Sequence, residues 1–304
     1  HSVPALDDAL RIAAESEKPI LVHVTTNKGK GYAFAEDRPE KWHGTLAFDI
    51  ETGEAKDPPG STGYSSIFGS VLLRLAGEDK RIVGITAAMG AGTGMTGFAA
   101  RFPDRFFEVG ISEEHAVVFA AGLASRGLVP VFAVYSSFFQ RAVDCMIHDV
   151  CLQNLPVVLC LDRAGLVGED GPTHHGVFDI ALLRSIPNLV FMQPCDEAEL
   201  ANMLKTAVTL GRPVAIRYPK GPGMGTLIPE VMETVEVGKA QVVRAGSGVQ
   251  LWALGDRVKM ALAAAKLLER DGVNAGVVNA RFIRPLDTAL LHRQIADTRL
   301  FITL

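Results

Sequence analysis

Residues 110–127, GISEEHAVVFAAGLASRG, place two carboxylates and an imidazole where an apolar helix begins. Ser112 can cap that helix, because its hydroxyl can accept from an orphan backbone N–H. Glu113 and Glu114 then face the positive end of the helix dipole, and Gly127 is a natural stop. A structural cap accounts for that start. It does not explain why a carboxylate should enter what reads as a protein core, so a chemical role stays open at Glu113.

Four more stretches carry residue types that could do chemistry. The glycine-rich loop RAGLVGEDGPTHHG, residues 163–176, holds Arg163, Glu169, Asp170, His174 and His175. Adjacent histidines project in different directions, and no ligand pair has the spacing of a zinc site. The loop is either solvated surface or a substrate clamp, with histidine as acid or donor and arginine as anion partner. YSSFFQRAVD supplies Tyr135, Phe138 and Arg141. Phe138 and Arg141, three apart, share a helix face. They either pack the core or present a flat aromatic beside a cation, which could stack a heteroaromatic ring. TTNKGKGY and KWHG supply Lys28, Lys30 and His43 on loops. Glycines between lysines can bring N–H groups and ammonium charge to a phosphate, or simply face water. GTGMTG, residues 92–97, matches G-x-G-x-x-G after a strand, yet Pro103 cuts short the crossover helix that a dinucleotide site needs. A glycine turn that lets another group approach its backbone is the alternative.

The elements that must position these residues alternate in type. Residues 1–60 read as a helix, ALDDALRIAAESEKP, a strand, ILVHVTT, and a polar loop and linker. Residues 61–222 alternate apolar strands such as VPVFAVY and PVVLCLD with helices such as SSFFQRAVDCMIHDVCLQN. After a Gly/Pro-bearing connection, residues 223–304 restart that alternation as an incomplete second domain. The pattern predicts an α/β fold of doubly wound, mainly parallel sheets in a multi-domain chain. Ligands of open α/β sheets bind beyond the carboxyl ends of the strands, where the polar loops above gather.

Composition removes several classes. The 304 residues carry a net charge of −4, so a nucleic-acid partner is not expected. No apolar run approaches the ~18 residues of a membrane span. The four cysteines form no C-x-x-C pair and read as reduced thiols of a cytosolic protein. With no starting Met and with elements cut at both ends, the chain reads as a piece of a longer polypeptide.

Taken together and in order, TTNKGKGY, KWHG, ISEEHAVVFAAGLA, YSSFFQRAVDCMIHDV, LDRAGLVGEDGPTHHGVFD, IRYPKG and RFIRPLD resemble the 1-deoxy-D-xylulose-5-phosphate synthases. That family lies within the wider transketolase-like thiamine diphosphate enzymes. The resemblance covers essentially the whole chain and implies a transketolase-like architecture, with residues 1–60 as the tail of a diphosphate-binding domain, 61–222 as a pyrimidine-binding domain and 223–304 as a C-terminal domain. It implies thiamine diphosphate and Mg2+ as cofactors, and condensation of pyruvate with D-glyceraldehyde 3-phosphate to 1-deoxy-D-xylulose 5-phosphate and CO2. That reaction heads the non-mevalonate isoprenoid route and thiamine and pyridoxal synthesis. A cytoplasmic homodimer is implied too.

The resemblance also assigns roles. Glu113 matches the glutamate that bonds N1′ of the aminopyrimidine and favours the tautomer able to take the thiazolium proton. Burial would raise such a carboxyl's pKa, and the helix N-terminus would lower it. Phe138 matches the ring that stacks on the aminopyrimidine. Tyr135, Arg163 and Lys220 match residues around the acceptor phosphate, and Arg141, Asp170 and His174 match polar groups near the reacting carbons. Lys28 and His43 match residues facing the cofactor. The expected catalytic set is Glu113, His43, His174 and Asp170. Glu114 falls where glutamine is common and receives no role. Lys220 departs from the family's usual arginine, which keeps the charge but loses the fork. The family's GDG-to-Asn metal motif is absent, so no metal ligand is expected in this chain. A transketolase half, a 2-oxo acid dehydrogenase β subunit and a non-catalytic binding or dimerisation module are the rival readings.

Overall fold

The structure is a computed structural model that describes residues 1–39, 41–45, 47–54, 56 and 63–304. It divides into two compact units, His1–Gly60 and Ser61–Leu304.

In the first unit Ser2 caps the helix Val3–Glu15 by accepting from the Ala5 N–H. Residues 20–26, expected as a strand, are not one. Their β-branched, apolar content suits a strand, but a strand needs a neighbour to take its backbone N–H and C=O groups. None pairs with it among the described residues, and Ile20, Leu21 and Val24 are exposed. A glycine turn follows, then the short helix Ala33–Asp37 and an aromatic cluster of Tyr32, Phe34, Trp42 and Phe48.

The second unit holds two sheets. The larger contains β1 (Ile82–Thr86), β2 (Phe106–Glu108), β3 (Val129–Tyr135), β4 (Val158–Asp162), β5 (Val190–Met192) and β6 (Val214–Arg217). The smaller contains β7 (Gln241–Arg244), β8 (Gly248–Ala253), β9 (Ala275–Asn279) and, beyond β10 (Phe282–Arg284), β11 (Thr298–Thr303). The larger sheet runs β10-β5-β6-β4-β3-β1-β2 and is parallel except for β10. The smaller runs β11-β8-β9-β7 and is parallel except for β7. The chain is therefore α/β with mainly parallel sheets, as its alternation predicted.

Alternate strand residues point to opposite faces. On the larger sheet Val131, Val158, Cys160 and Val214 pack one face against the helices Tyr64–Glu78 and Glu197–Thr209. Phe132, Leu159, Leu161 and Ala215 pack the other against Glu113–Ser125 and residues 136–151. That last stretch was expected as one helix, and it changes pitch instead. An α turn, Ser136–Phe139, passes through a 3₁₀ turn and a second α turn into the π-helical turn Met146–Cys151. Its apolar residues repeat every four positions, which drifts ~40° per turn around an ideal helix. The wider π turn, with Leu152 N–H bonded to Ile147 O, offsets that drift.

Candidate active site

The order of the larger sheet reverses at β1, whose neighbours are β2 on one side and β3 on the other. Such a switch point opens a crevice beyond the strand ends. Beyond the carboxyl ends of the strands lie the glycine turn after β1, Glu113 after β2, Tyr135 at the end of β3, Arg163 after β4 and Lys220 after β6.

Glu113 begins its helix and is almost wholly buried. Its Oε1 accepts from Arg141 Nη1 at 2.8 Å, while Oε2 is buried and has no partner. The Ser112 hydroxyl, expected as the cap, makes no capping bond. Gly110, at φ +73°, turns the chain so that Ser112 donates its N–H back to Gly110 O, and the hydroxyl does not reach the helix. Gly127 ends the helix as expected, at φ +86° with its N–H bonded to Ala124 O.

Phe138 joins the expected residues into one group. The Arg141 guanidinium lies 5.3 Å from its ring centre, the Tyr135 ring 5.8 Å and the His174 ring 5.2 Å. Arg163 stacks its guanidinium 3.9 Å from the Tyr135 ring centre. Asp170 bridges the two other cations, accepting from Arg163 Nη1 at 2.7 Å and Lys220 Nζ at 2.8 Å. Burial would raise the Asp170 carboxyl, but the Lys220 hydrogen bond and the nearby positive charges hold it below the usual carboxylate range. The loop that carries Asp170 and His174 is closed at its base by two backbone bonds of 2.8 Å between Gly165 and Gly176. Its adjacent histidines do diverge: His174 meets Phe138, whereas His175 accepts the Val167 N–H.

Glycines of the 92–97 turn serve close approach rather than a helix start. A methyl at Gly92 would lie 1.7 Å from the Tyr135 hydroxyl, and one at Gly94 would lie 2.1 Å from Ser65 O. The helix that follows is only Thr96–Arg101.

Lys28 and His43 belong to the first unit, where Lys28 Nζ lies 2.7 Å from His43 Nδ1. The lysine loop beside them binds a carboxylate of its own: Gly31 N–H and Lys30 Nζ both reach Glu36.

Several buried acids were not anticipated, Asp162 and Glu197 among them. Asp162, at the end of β4, is fully buried with neither oxygen hydrogen-bonded. Burial pushes its carboxyl up to about 6, with the Ser65 hydroxyl near enough to pull back without meeting hydrogen-bond geometry. Its sequence signal was a charge closing the apolar run PVVLCL. Glu197, at the start of its helix, reads in sequence only as a dipole partner, and nothing there announces its burial. The four cysteines are free, and burial raises all four thiols, Cys151 to about 12.

Among the described residues no group of three or more His, Cys, Asp or Glu side chains could hold a metal ion. None of their helices is long and apolar enough to cross a membrane.

Comparison with known proteins places this geometry. The family described as transketolase, pyrimidine binding domain, matches residues 61–224, and transketolase, C-terminal domain, matches residues 238–304. The chain is 52% identical over 303 residues to 1-deoxy-D-xylulose-5-phosphate synthase of Heliobacterium modesticaldum, covering 100% of this chain and 47% of that protein. It is 51% identical to the synthase of Syntrophus aciditrophicus, covering 46% of it. The chain thus spans about half the length of the curated relatives it matches. A solved structure of a split gene transketolase, an inactive beta4 tetramer, superposes with a TM-score of 0.72 at 31% identity, over 80% of this chain and 79% of that one. A Pichia stipitis transketolase shares the fold at 18% identity and a TM-score of 0.66, over 80% of this chain and 39% of that one.

Proposed function

This chain belongs to the transketolase family by its pyrimidine-binding domain, and from that premise we propose that it forms part of a thiamine diphosphate-dependent 1-deoxy-D-xylulose-5-phosphate synthase. The observation that carries the reading is Glu113: a buried carboxylate with one oxygen fixed by Arg141 and the other without a partner, near the partly buried aromatic Phe138. A carboxylate oxygen with no partner in a buried site is costly unless a ligand supplies one. An aminopyrimidine fits, because its ring nitrogen can bond Oε2 while its face stacks on Phe138.

Thiamine diphosphate, when bound, supplies the nucleophilic carbon and electron sink for decarboxylating a 2-oxo acid such as pyruvate. The protein's own groups do the rest. Glu113 holds or shares a proton at the pyrimidine nitrogen, and Arg141 fixes it from the open side of the crevice. Arg163 and Lys220 hold the phosphate of D-glyceraldehyde 3-phosphate, with Tyr135 lining that site. Asp170 and His174 stand where an aldehyde oxygen and a hydroxyl need a proton partner. By the family resemblance we also assign His43 and Lys28 of the first unit to the cofactor.

The described residues fit the pyrimidine but offer no metal cluster. The chain covers about half the length of its curated relatives, and we assign Mg2+ and the diphosphate to the part of such a protein that it does not cover; a cytoplasmic homodimer is proposed from the family resemblance alone. That point also favours a second reading, in which these 304 residues alone are an inactive assembly module, as the split gene transketolase tetramer is inactive.

The test is CO2 release from pyruvate with thiamine diphosphate and Mg2+, with and without D-glyceraldehyde 3-phosphate. Release that requires the aldehyde, yields the deoxy-sugar phosphate and falls at least about 100-fold in Glu113→Gln fits the synthase. No release from a preparation that binds the cofactor would overturn it. No cofactor binding by the 304 residues alone would favour the module.

A further inference from the structure

The segment after β6 carries Lys220 out of the sheet, and two anchors hold it. At one end Gly221 O accepts the Tyr64 N–H at 3.4 Å, and Pro222 bridges to Gly63. At the other end Glu197 Oε1 accepts the Gly225 N–H at 2.7 Å. Glu197 is only 3% exposed, although it opens a helix whose first turn could have left it in water. Asp196 already caps that helix, accepting from Glu199 N at 2.8 Å, so Glu197 is free of capping duty. Gly223 packs so tightly on the carboxylate that an added methyl would lie 1.9 Å from Oε1.

We propose that Glu197 is a positioning residue that sets Lys220 for the acceptor phosphate by capturing the backbone of residues 223–225; this rests on the assignment of Lys220 to that phosphate. The carboxylate replaces a side-chain partner with a turn of main chain. Lys220 Nζ meets Asp170 at 2.8 Å, and on this proposal the anchored segment behind it sets that placement. Burial would raise the Glu197 carboxyl, but the nearby backbone N–H groups of Glu197, Gly225, Met224 and Thr226 hold it low; of these only Gly225 forms a hydrogen bond, to Oε1, and Oε2 is buried without a partner among the described residues. A purely structural acid would stabilise the fold without choosing between substrates. A positioning acid acts on one feature of one substrate, its phosphate.

The experiment compares D-glyceraldehyde 3-phosphate with unphosphorylated D-glyceraldehyde as acceptor in the holoenzyme. Glu197→Ala should raise KM for the phosphorylated aldehyde about tenfold, with kcat within about twofold and the unphosphorylated aldehyde unaffected. Glu197→Gln keeps one acceptor oxygen and should raise it about threefold, which carries the test if the alanine variant does not fold. Gly223→Ala should mimic Glu197→Ala in the parent and add nothing in the Glu197→Ala background, since the clash partner is gone. Equal loss on both aldehydes, or no change on either, overturns the proposal. Lys220→Met is the control. If it leaves phosphate discrimination intact, the assignment of Lys220 fails; if it abolishes discrimination while the Glu197 variants keep it, only the present inference fails.

Discussion

Lys220 offers one ammonium where two parallel N–H donors would suit a phosphate, and it is shared with Asp170 at 2.8 Å. If the proposed synthase reading and the assignment of Lys220 to the acceptor phosphate hold, Lys220→Arg should lower the acceptor's KM a few-fold, by about 1 kcal/mol, with the KM for pyruvate unchanged. An unaltered acceptor KM would mean that the lost fork does not matter here. Asp162 gives a second residue-scale expectation, with a sign set by burial. Its carboxyl lies at about 6 instead of 3.8, facing Ser65, Tyr218 and Cys160, with Arg163 as the neighbouring cation. The folded chain thus prefers the protonated acid. That preference stabilises the fold fully below the unfolded value and is lost as the pH rises through about 6. Above it, folding buries an anion at a cost of about 3 kcal/mol. Asp162→Asn resembles the protonated acid, so in urea unfolding it should match the parent at pH 4 and exceed it by about 3 kcal/mol at pH 8. The same gap at both pH values would show that Asp162 does not titrate between them. Sequence exposes a residue like Arg163 because its loop is glycine-rich and charged. It hides Asp162, whose importance lies in the absence of partners, a fact of three dimensions.

Elements were legible where their own period decided them. VPVFAVY is β3 to the residue, and PVVLCLD appears as β4, Val158–Asp162. They were misread where a neighbour decides. ILVHVTT has strand composition without a strand partner among the described residues, and residues 136–151 change pitch to keep a four-residue repeat against the sheet. RFIRPLD gave a motif, yet Phe282–Arg284 is a strand only because β5 leaves an edge for it. The glycine turn after β1 shows the same dependence. Gly94 sits at φ +78° with Ser65 O where its side chain would be, and Gly69 backs onto Gly94 O in return. Gly94→Ala should cost at least about 2 kcal/mol and lower the thermal midpoint, since backbone must move. Gly97→Ala, in a helix with open space around it, should be neutral or stabilising by up to about 1 kcal/mol. Equal effects at both positions would remove close approach as the reason for this turn's glycines.

At the scale of the second unit, two sheets with separate apolar cores are held together by polar groups. Glu199 is a buried carboxylate on the larger sheet's helix, and it accepts from the Cys195 N–H at 2.7 Å. It also takes Asn279 Nδ2 at 3.0 and 2.9 Å and Arg281 Nε at 2.6 Å, both from the smaller sheet's side. Arg281, at φ +58°, turns the chain from β9 toward β10, which then joins the larger sheet. Only the complete fold brings these groups together, so their separation by some 80 residues left no trace in the sequence pattern. Glu199→Ala would leave the fully buried Asn279 amide without its acceptor and the Arg281 guanidinium with Gln241 Oε1 alone, at about 3 kcal/mol. The smaller sheet has little core of its own, built on one helix through Val258, Ala261 and Ala265, so it should then melt first. Trp252 is buried in β8 and reports that sheet, provided that Trp42 of the first unit is replaced by phenylalanine. In that background, Trp252 fluorescence and far-UV circular dichroism should trace one unfolding curve with Glu199 present. With Glu199→Ala the fluorescence transition should come at lower urea, because the sheets no longer unfold as one. Coincident curves in both proteins would place the coupling in the β10–β5 pairing instead of the carboxylate.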